Sequence, residues 1–235
     1  MKVSVVIPCY NTEKFVAEAV ESVFNQTFKD FEVIIVDDAS TDKSPEIVKK
    51  LNVRYVRNEE NLGIGGARDR GVKEAKGEFL CFLSADDLFQ PNYLEEMLKV
   101  ADKESFLFSD YYVINEGGAT TNQFRAPAFE NYEDLVVHSV VQAKSNNMFI
   151  CYNLFGPTKL FKENNFDPGL RYGEDLEHLL RCMLVKKIGF KHVPLPLFKY
   201  RAHPKMVTQQ KLKEIGGNNQ KIFQKINEMV GRKVF

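Results

Sequence analysis

Over residues 2–101, short β-branched or aromatic runs alternate with helical patterns, and the runs end on turn residues, acids or asparagine. No other feature of the chain constrains its fold as strongly. The runs "KVSVVIP" (2–8), "FEVIIVDD" (31–38), "VRYVRN" (53–58) and "FLCFL" (79–83) have the length and residue types of strands. The second is almost continuously apolar, as in a sheet covered on both faces. Between them the apolar spacing is helical. One helix is expected to start at Asn11 or Thr12 as N-cap, with Phe15, Val16, Ala19, Val20, Val23 and Phe24 on one face. A short helix follows near Pro45, another ends near Gly77, and a fourth begins at Pro91 and carries Leu94, Met97, Leu98 and Ala101. Strand–helix alternation with short connections implies a single α/β domain with a doubly wound, mostly parallel sheet.

In such sheets ligands bind beyond the carboxyl ends of the strands. Residues 8–12, 37–42, 58–63 and 84–87 therefore fall on one rim. The last group is conspicuous: "FLCFLSADDLF" leaves a buried strand, presents Asp86 and Asp87 side by side, and returns to apolar residues. Past residue 105 the pattern loosens. Residues 106–115 read as a strand, 117–127 as a polar loop, 132–143 as a helix with Leu135, Val136 and Val140 inward, and 173–187 as an amphipathic helix. From about Met206 the chain reads as a polar tail with one weak helix over 221–229.

Charge excludes some partners. Lys plus Arg equals Asp plus Glu, 32 each, so no overall positive field exists to hold nucleic acid. The four cysteines are spread without a C-x-x-C pair, which reads as reduced thiols of a cytoplasmic protein. No run approaches the ~18 apolar residues of a membrane span, so any lipid-linked acceptor is expected to be met peripherally, at the membrane surface. Oligomeric state leaves no mark in the sequence.

Five motifs carry chemistry. Asp37-Asp38 with "ASTD" suits turn formation and helix capping, or a carboxylate accepting from a nucleobase or ribose. "NLGIGGARDRG" (61–71) is Gly-rich but fits neither G-x-G-x-x-G nor a P-loop; it reads as a flexible turn into a helix, or as a backbone that approaches a ligand with Arg68 as donor fork. Asp86-Asp87 exceeds what one helix cap needs and suits a hard divalent cation, Mn²⁺ or Mg²⁺. Glu174-Asp175 opens a helix, where acids are stabilised by the helix dipole. His178 and Cys182 are four apart, a spacing open to a soft metal but better explained by a buried thiol beside a satisfied imidazole; His138 and His192 have no partners in sequence. "YRAHPKMVT" (200–208) places Arg201 and His203 in a Pro-broken loop.

In this order the motifs resemble one family, the inverting nucleotide-sugar glycosyltransferases of the GT-A fold, in the large bacterial "family two" group. The resemblance runs from "VSVVIPCYN" at residue 3 to about residue 208, through "VDDASTD", "NEENLGIGGARDRG", "FLSADDLFQPNYLE", "YGEDLEHLLR" and "YRAHPKMVT". It implies a domain over 1–208, with a nucleotide-sugar half at 1–105 and an acceptor half at 106–208, and a tail at 209–235. It implies a nucleotide site at Pro8, Tyr10, Asn11, Asp38, Asn61, Gly63, Arg68 and Asp86, with Asp38 on the base, most often uracil, and Arg68 beside it. A metal would be held by Asp86, Asp87 and His203. Arg201 would close over the diphosphate. Asp175 would be the catalytic base, with Glu174 supporting the acceptor pocket. Two positions depart from the pattern: Ser84 stands where many members carry a third acid, and Asp69 replaces an asparagine near the diphosphate.

The implied activity is inverting, metal-dependent transfer of a sugar from a nucleoside-diphosphate donor, UDP first, to a hydroxyl of a carbohydrate or lipid-linked acceptor, in cell-surface polysaccharide or glycolipid synthesis. A sugar-nucleotide pyrophosphorylase would need a Gly-rich loop after the first strand, and "PCYNTEKF" has no glycine. A non-catalytic nucleotide-sugar binding module of the same fold is the runner-up, with Ser84 and Asp69 as signs of decay.

Overall fold

The structure is a computed structural model that describes residues 1–144, 153–206 and 212–234. The alternation gives what it implies. β1 (Val3–Cys9), β2 (Phe31–Asp37), β3 (Arg54–Arg57) and β4 (Phe79–Phe82) form a parallel ladder in the order β3-β2-β1-β4. Helices α1 (Val16–Phe24), α2 (Ser44–Val48), α3 (Gly63–Glu74) and α4 (Tyr93–Val100) connect or follow these strands.

Period-2 alternation decides which face each strand residue covers. Val5, Ile7, Val33, Ile35 and Cys81 face α1, α2 and α4 in one core. Val6, Ile34, Val36, Leu80 and Phe82 face α3 in a second core, joined by α5 (Tyr132–Lys144), α6 (Thr158–Glu163) and α7 (Glu174–Leu180). Both faces of the sheet are covered, hence the unbroken apolar run of β2.

Beyond β4 the sheet is mixed. The order continues through β8 (Phe155–Pro157), β6 (Ser105–Ile114), β9 (Gly189–Arg201) and β5 (Leu88–Phe89), with β7 (Thr120–Phe124) paired to β6. β8 is antiparallel to both β4 and β6, and β9 is parallel to β6. Two reversals restore direction, so β6 and β9 run with β4 and end on the same rim. This sheet geometry carries Arg201 and His203 to the acids that follow β4.

Several expectations change. Helix α1 begins at Val16; Asn11 takes a left-handed φ of 52° and Thr12 gives its carbonyl to Phe15 and Val16. The polar loop at 117–127 contains β7. Arg201 ends β9 rather than lying in a loop, and that long strand carries Pro194 and Pro196, whose missing N–H groups coincide with register shifts. The amphipathic helix at 173–187 is α7 continuing as a π-helical turn over Arg181–Val185. The tail forms α8 (Leu212–Val230), whose Ile222 and Ile226 are buried against Leu176 and Leu180. Cys151 and the boundary expected at residue 208 lie outside the described residues. Among those residues no helix is long and apolar enough to cross a membrane.

Candidate active site

The two acids at the end of β2 separate into different tasks. Asp37 is fully buried and accepts from Ser40 N at 2.9 Å, from the Tyr55 hydroxyl at 2.6 Å and from Arg57. It performs the turn chemistry. Asp38 accepts through Oδ1 from Asn58 Nδ2 at 2.8 Å and Leu62 N at 2.9 Å. Its Oδ2 takes no hydrogen bond among the described residues. Asn11 braces the same turn, its Oδ1 accepting from Thr41 N at 2.8 Å, while Tyr10 stands 47% exposed above buried Pro8. An aromatic face, a carboxylate oxygen and strand-end backbone are what a nucleobase needs.

Asn61 and Gly63 lead into α3 beside Arg171, which donates from Nη1 to Asn61 O at 3.0 Å and also bonds Asn61 Oδ1. Arg68, expected beside the nucleobase, is buried one turn deeper. Its Nη1 meets Glu174 Oε1 at 3.1 Å, and its guanidinium lies over the rings of Phe82 and Phe166. Glu174, expected to support the acceptor pocket, is 4% exposed and turned toward α3. The approach is close enough that a Cβ on Gly65 would stand 3.1 Å from Glu174 Cγ. Burial, then the neighbouring Asp175 charge, push the Glu174 carboxyl up to about 7 against the pull of Arg68. Asp175 is less buried, and its Oδ1 accepts from Leu176 N at 2.8 Å. Asp69 faces neither the diphosphate rim nor solvent alone; its Oδ1 accepts from Phe166 N at 3.1 Å, and burial raises its pKa.

At the end of β4, Asp87 is 2% exposed and accepts from Arg201 N at 2.8 Å. Burial first, then Asp86, hold its carboxyl well above the usual carboxylate range. The buried amide of Asn153 eases that charge without reaching hydrogen-bond geometry to any described residue. Asp86 Oδ2 lies 3.1 Å from His203 Nε2, whose ring packs on Phe15. Among the described residues no three His, Cys, Asp or Glu side chains converge as a metal cage. The expected set of Asp86, Asp87 and His203 is thus not preassembled. Its chemistry still fits Mg²⁺ or Mn²⁺, which are commonly held by one or two carboxylates with substrate phosphates and water completing the shell. The Asp86 repulsion that adds to burial in raising Asp87 is what a cation would relieve.

Arg201 does not reach over the rim. It is 2% exposed, donating from Nε to Asp86 O at 2.8 Å, from Nη1 to Glu116 O at 2.9 Å and from Nη2 to Glu18 Oε2 at 2.7 Å. Its guanidinium fastens α1, the β6–β7 turn and the acidic turn together. Glu18 and Asn153 are contributors that sequence reasoning missed, since neither sits in a motif and each meets its partner only after the chain has folded. His178 donates from Nε2 to Asn164 O at 2.7 Å, and burial lowers its pKa to about 3. It is a satisfied core imidazole beside the Cys182 thiol. His192 pairs with Asp110 at 2.7 Å, away from the rim.

This is the architecture of a GT-A domain: a parallel half whose strand ends carry Asp38, an acidic turn after the fourth strand, and a second half joined to the first through the Arg68–Glu174 pair. Over residues 4–162 the sequence matches the family model described as glycosyl transferase family 2, more than half of the chain, and the chain belongs to that family. It is 37% identical over 180 residues to an uncharacterized glycosyltransferase of Rickettsia felis, covering 74% of this chain and 29% of that protein. It is 32% identical over 217 residues to the uncharacterized glycosyltransferase MJ1057 of Methanocaldococcus jannaschii, covering 85% of this chain and 70% of the relative. The chain thus spans under a third of the Rickettsia relative. Among solved structures, S. aureus TarS residues 1–349 in complex with UDP-GlcNAc superposes with a TM-score of 0.77 at 20% identity, over 100% of this chain and 68% of that one. At that identity the likeness shows the fold.

Proposed function

We propose that the protein transfers a sugar from a nucleoside-diphosphate donor, UDP first, to an acceptor hydroxyl with inversion, in cell-surface polysaccharide or glycolipid synthesis. The observation that carries this reading is the linkage of the two half-sites. Asp38 bonds Leu62 N, Asn61 bonds Arg171, and Arg68 bonds Glu174. The nucleotide rim and the Glu-Asp pair are thereby one continuous structure. Asp38 and the acids after β4 follow strands two spacings apart, about 10 Å, a separation a nucleoside diphosphate spans.

The roles follow from the atoms. Asp38 Oδ2 accepts from the uracil ring N–H, and Tyr10 covers the base. Asp86 and Asp87 hold the cation with the diphosphate; bound there, Mn²⁺ or Mg²⁺ supplies positive charge that offsets the diphosphate as it leaves. Arg201 and His203 keep Asp86 and Asp87 in place. Asp175, with Oδ1 tied to Leu176 N, offers Oδ2 to the proton of the attacking hydroxyl, on the sugar face opposite the leaving group. General-base assistance is worth ~10²–10⁴ in rate. The fold likeness to the UDP-GlcNAc complex of TarS supports UDP as donor without naming the sugar.

A nucleotide-sugar binding module is favoured by two observations, Ser84 and the unconverged metal set. A turnover assay separates the readings. Free nucleoside diphosphate released from a panel of sugar nucleotides, dependent on acceptor and abolished in Asp175→Asn, is the expected result. Donor binding without release under any acceptor in the panel would favour the module.

A further inference from the structure

The region from Asp167 to the C-terminal helix lies past the family match, which ends at residue 162, and it includes the mount of the Glu-Asp pair. Helix α7 is a weak mount by itself. It has seven residues before the helix widens into its π-helical turn, and so short a helix is not self-supporting. Its orientation must come from packing. On the side of α3, Arg68 holds Glu174. On the opposite side, α8 grips the residues that flank Asp175 before and after it.

Ahead of Asp175, Asn218 Nδ2 donates to Tyr172 O at 3.0 Å, and Ile222 Cδ1 packs so near Gly173 that a Cβ there would approach it to 2.9 Å. Behind it, Ile222 and Ile226 bury Leu176 and Leu180. The polar clamp is more specific. Glu177 is 0% exposed, and Lys225 Nζ reaches its Oε1 at 2.9 Å while also meeting Asp167 Oδ2 at 2.6 Å. Arg181 holds the same carboxylate from Nε at 2.9 Å. A carboxylate taken out of water needs such partners. Lys225 is the one that comes from the tail, and it bonds two residues after Asp175.

We propose that Lys225, and through it helix α8, is a positioning residue for Asp175: the C-terminal helix sets where the catalytic carboxylate stands against the donor. This rests on the assignment of Asp175 as base. Lys225 bonds Asp167 and Glu177 and none of the residues assigned to the nucleotide, so its removal should leave nucleotide binding alone and act on the transfer step, where small misplacements of a reacting group cost rate steeply.

The test compares Lys225→Met, Lys225→Arg and Asn218→Ala with Asp175→Asn, all in the full chain. It measures kcat and acceptor KM for transfer, and UDP affinity by calorimetry with Mn²⁺. Lys225→Met is expected to lower kcat roughly tenfold with UDP affinity within twofold, and Lys225→Arg to recover most of the rate. Asn218→Ala should show the same split more weakly, and decides the matter if Lys225→Met does not fold. Full kcat in a folded Lys225→Met, or equal losses in kcat and UDP affinity, overturns the proposal. If Asp175→Asn is inactive while Lys225→Met and Asn218→Ala are fully active, this inference fails and the base assignment stands. If Asp175→Asn is fully active, both fall.

Discussion

Replacing Glu174 by glutamine should make the protein more stable at pH 8, and by much less at pH 5. Glutamine mimics the protonated acid, so the variant reports what ionising Glu174 costs in the folded state. The carboxyl titrates near 4.5 when unperturbed and is pushed up to about 7 in the fold, mainly by burial. A raised acid favours the protonated folded state: its contribution is fully present below about 4.5 and is lost as pH rises through about 7. At about 1.36 kcal/mol for each factor of ten, the rise from 4.5 to about 7 corresponds to a cost on the order of 3 kcal/mol at pH 8. For a chain of this length ~1 kcal/mol moves Tm by ~2–4 °C, so a gap of several degrees is expected. Thermal unfolding of wild type and Glu174→Gln at half-unit steps from pH 5 to 8 checks it. A gap that is the same at both ends, or that favours wild type at pH 8, would refute the reasoning. A charge retained at a stability penalty is a mark of a functional site, in keeping with the proposed role of the neighbouring Asp175.

Asp175→Asn should lower turnover by ~10²-fold or more, with UDP affinity nearly unchanged by calorimetry; full transfer activity would remove Asp175 as base. Asp87→Asn keeps an oxygen for Arg201 N and removes a charge the fold resists, so thermal stability should hold or rise while Mn²⁺-dependent UDP binding weakens; unchanged affinity with metal present would sink the metal role. Gly173→Ala should destabilise the protein by ~1–2 kcal/mol, because Gly173 has a φ of 81° and the new Cβ would crowd Ile222. Urea unfolding of that variant with an unchanged midpoint would contradict the packing of α8 on the mount.

The legible part of the fold is local. β1 to β4 and the helices between them announce themselves because each is a compact run with one period, and strand ends follow from α/β topology. β7 is polar and β5 is two residues long, so neither carries a pattern. β9 hides behind Pro194 and Pro196, and α8 reads as weak because its apolar stripe has meaning only against α7. The site divides the same way. Motif residues are legible by type and order, but the partners of Arg68 and Arg201 are not. A sequence shows an arginine's donors and not the buried acceptors that claim them, Glu174 for one and Glu18 with two backbone carbonyls for the other. The consequence of Asp69 was likewise readable only once Phe166 N was seen to need an acceptor.

The central claim is that the rim at the ends of β1, β2 and β4 binds a nucleoside diphosphate through Asp38 and the Asp86–Asp87 turn. Titration calorimetry with UDP in the presence of Mn²⁺ tests it most directly, run on wild type, Asp38→Ala and Asp86→Ala, with CDP as the comparison. The expected result is saturable UDP binding, weaker binding of CDP because its neutral ring has no N–H where Asp38 Oδ2 accepts, and loss of binding in both variants; a hydrogen bond to a charged group contributes ~1.5–3 kcal/mol, roughly a factor of ten or more in Kd. Equal affinity for UDP and CDP, or unchanged UDP binding in Asp38→Ala and Asp86→Ala, would contradict the account.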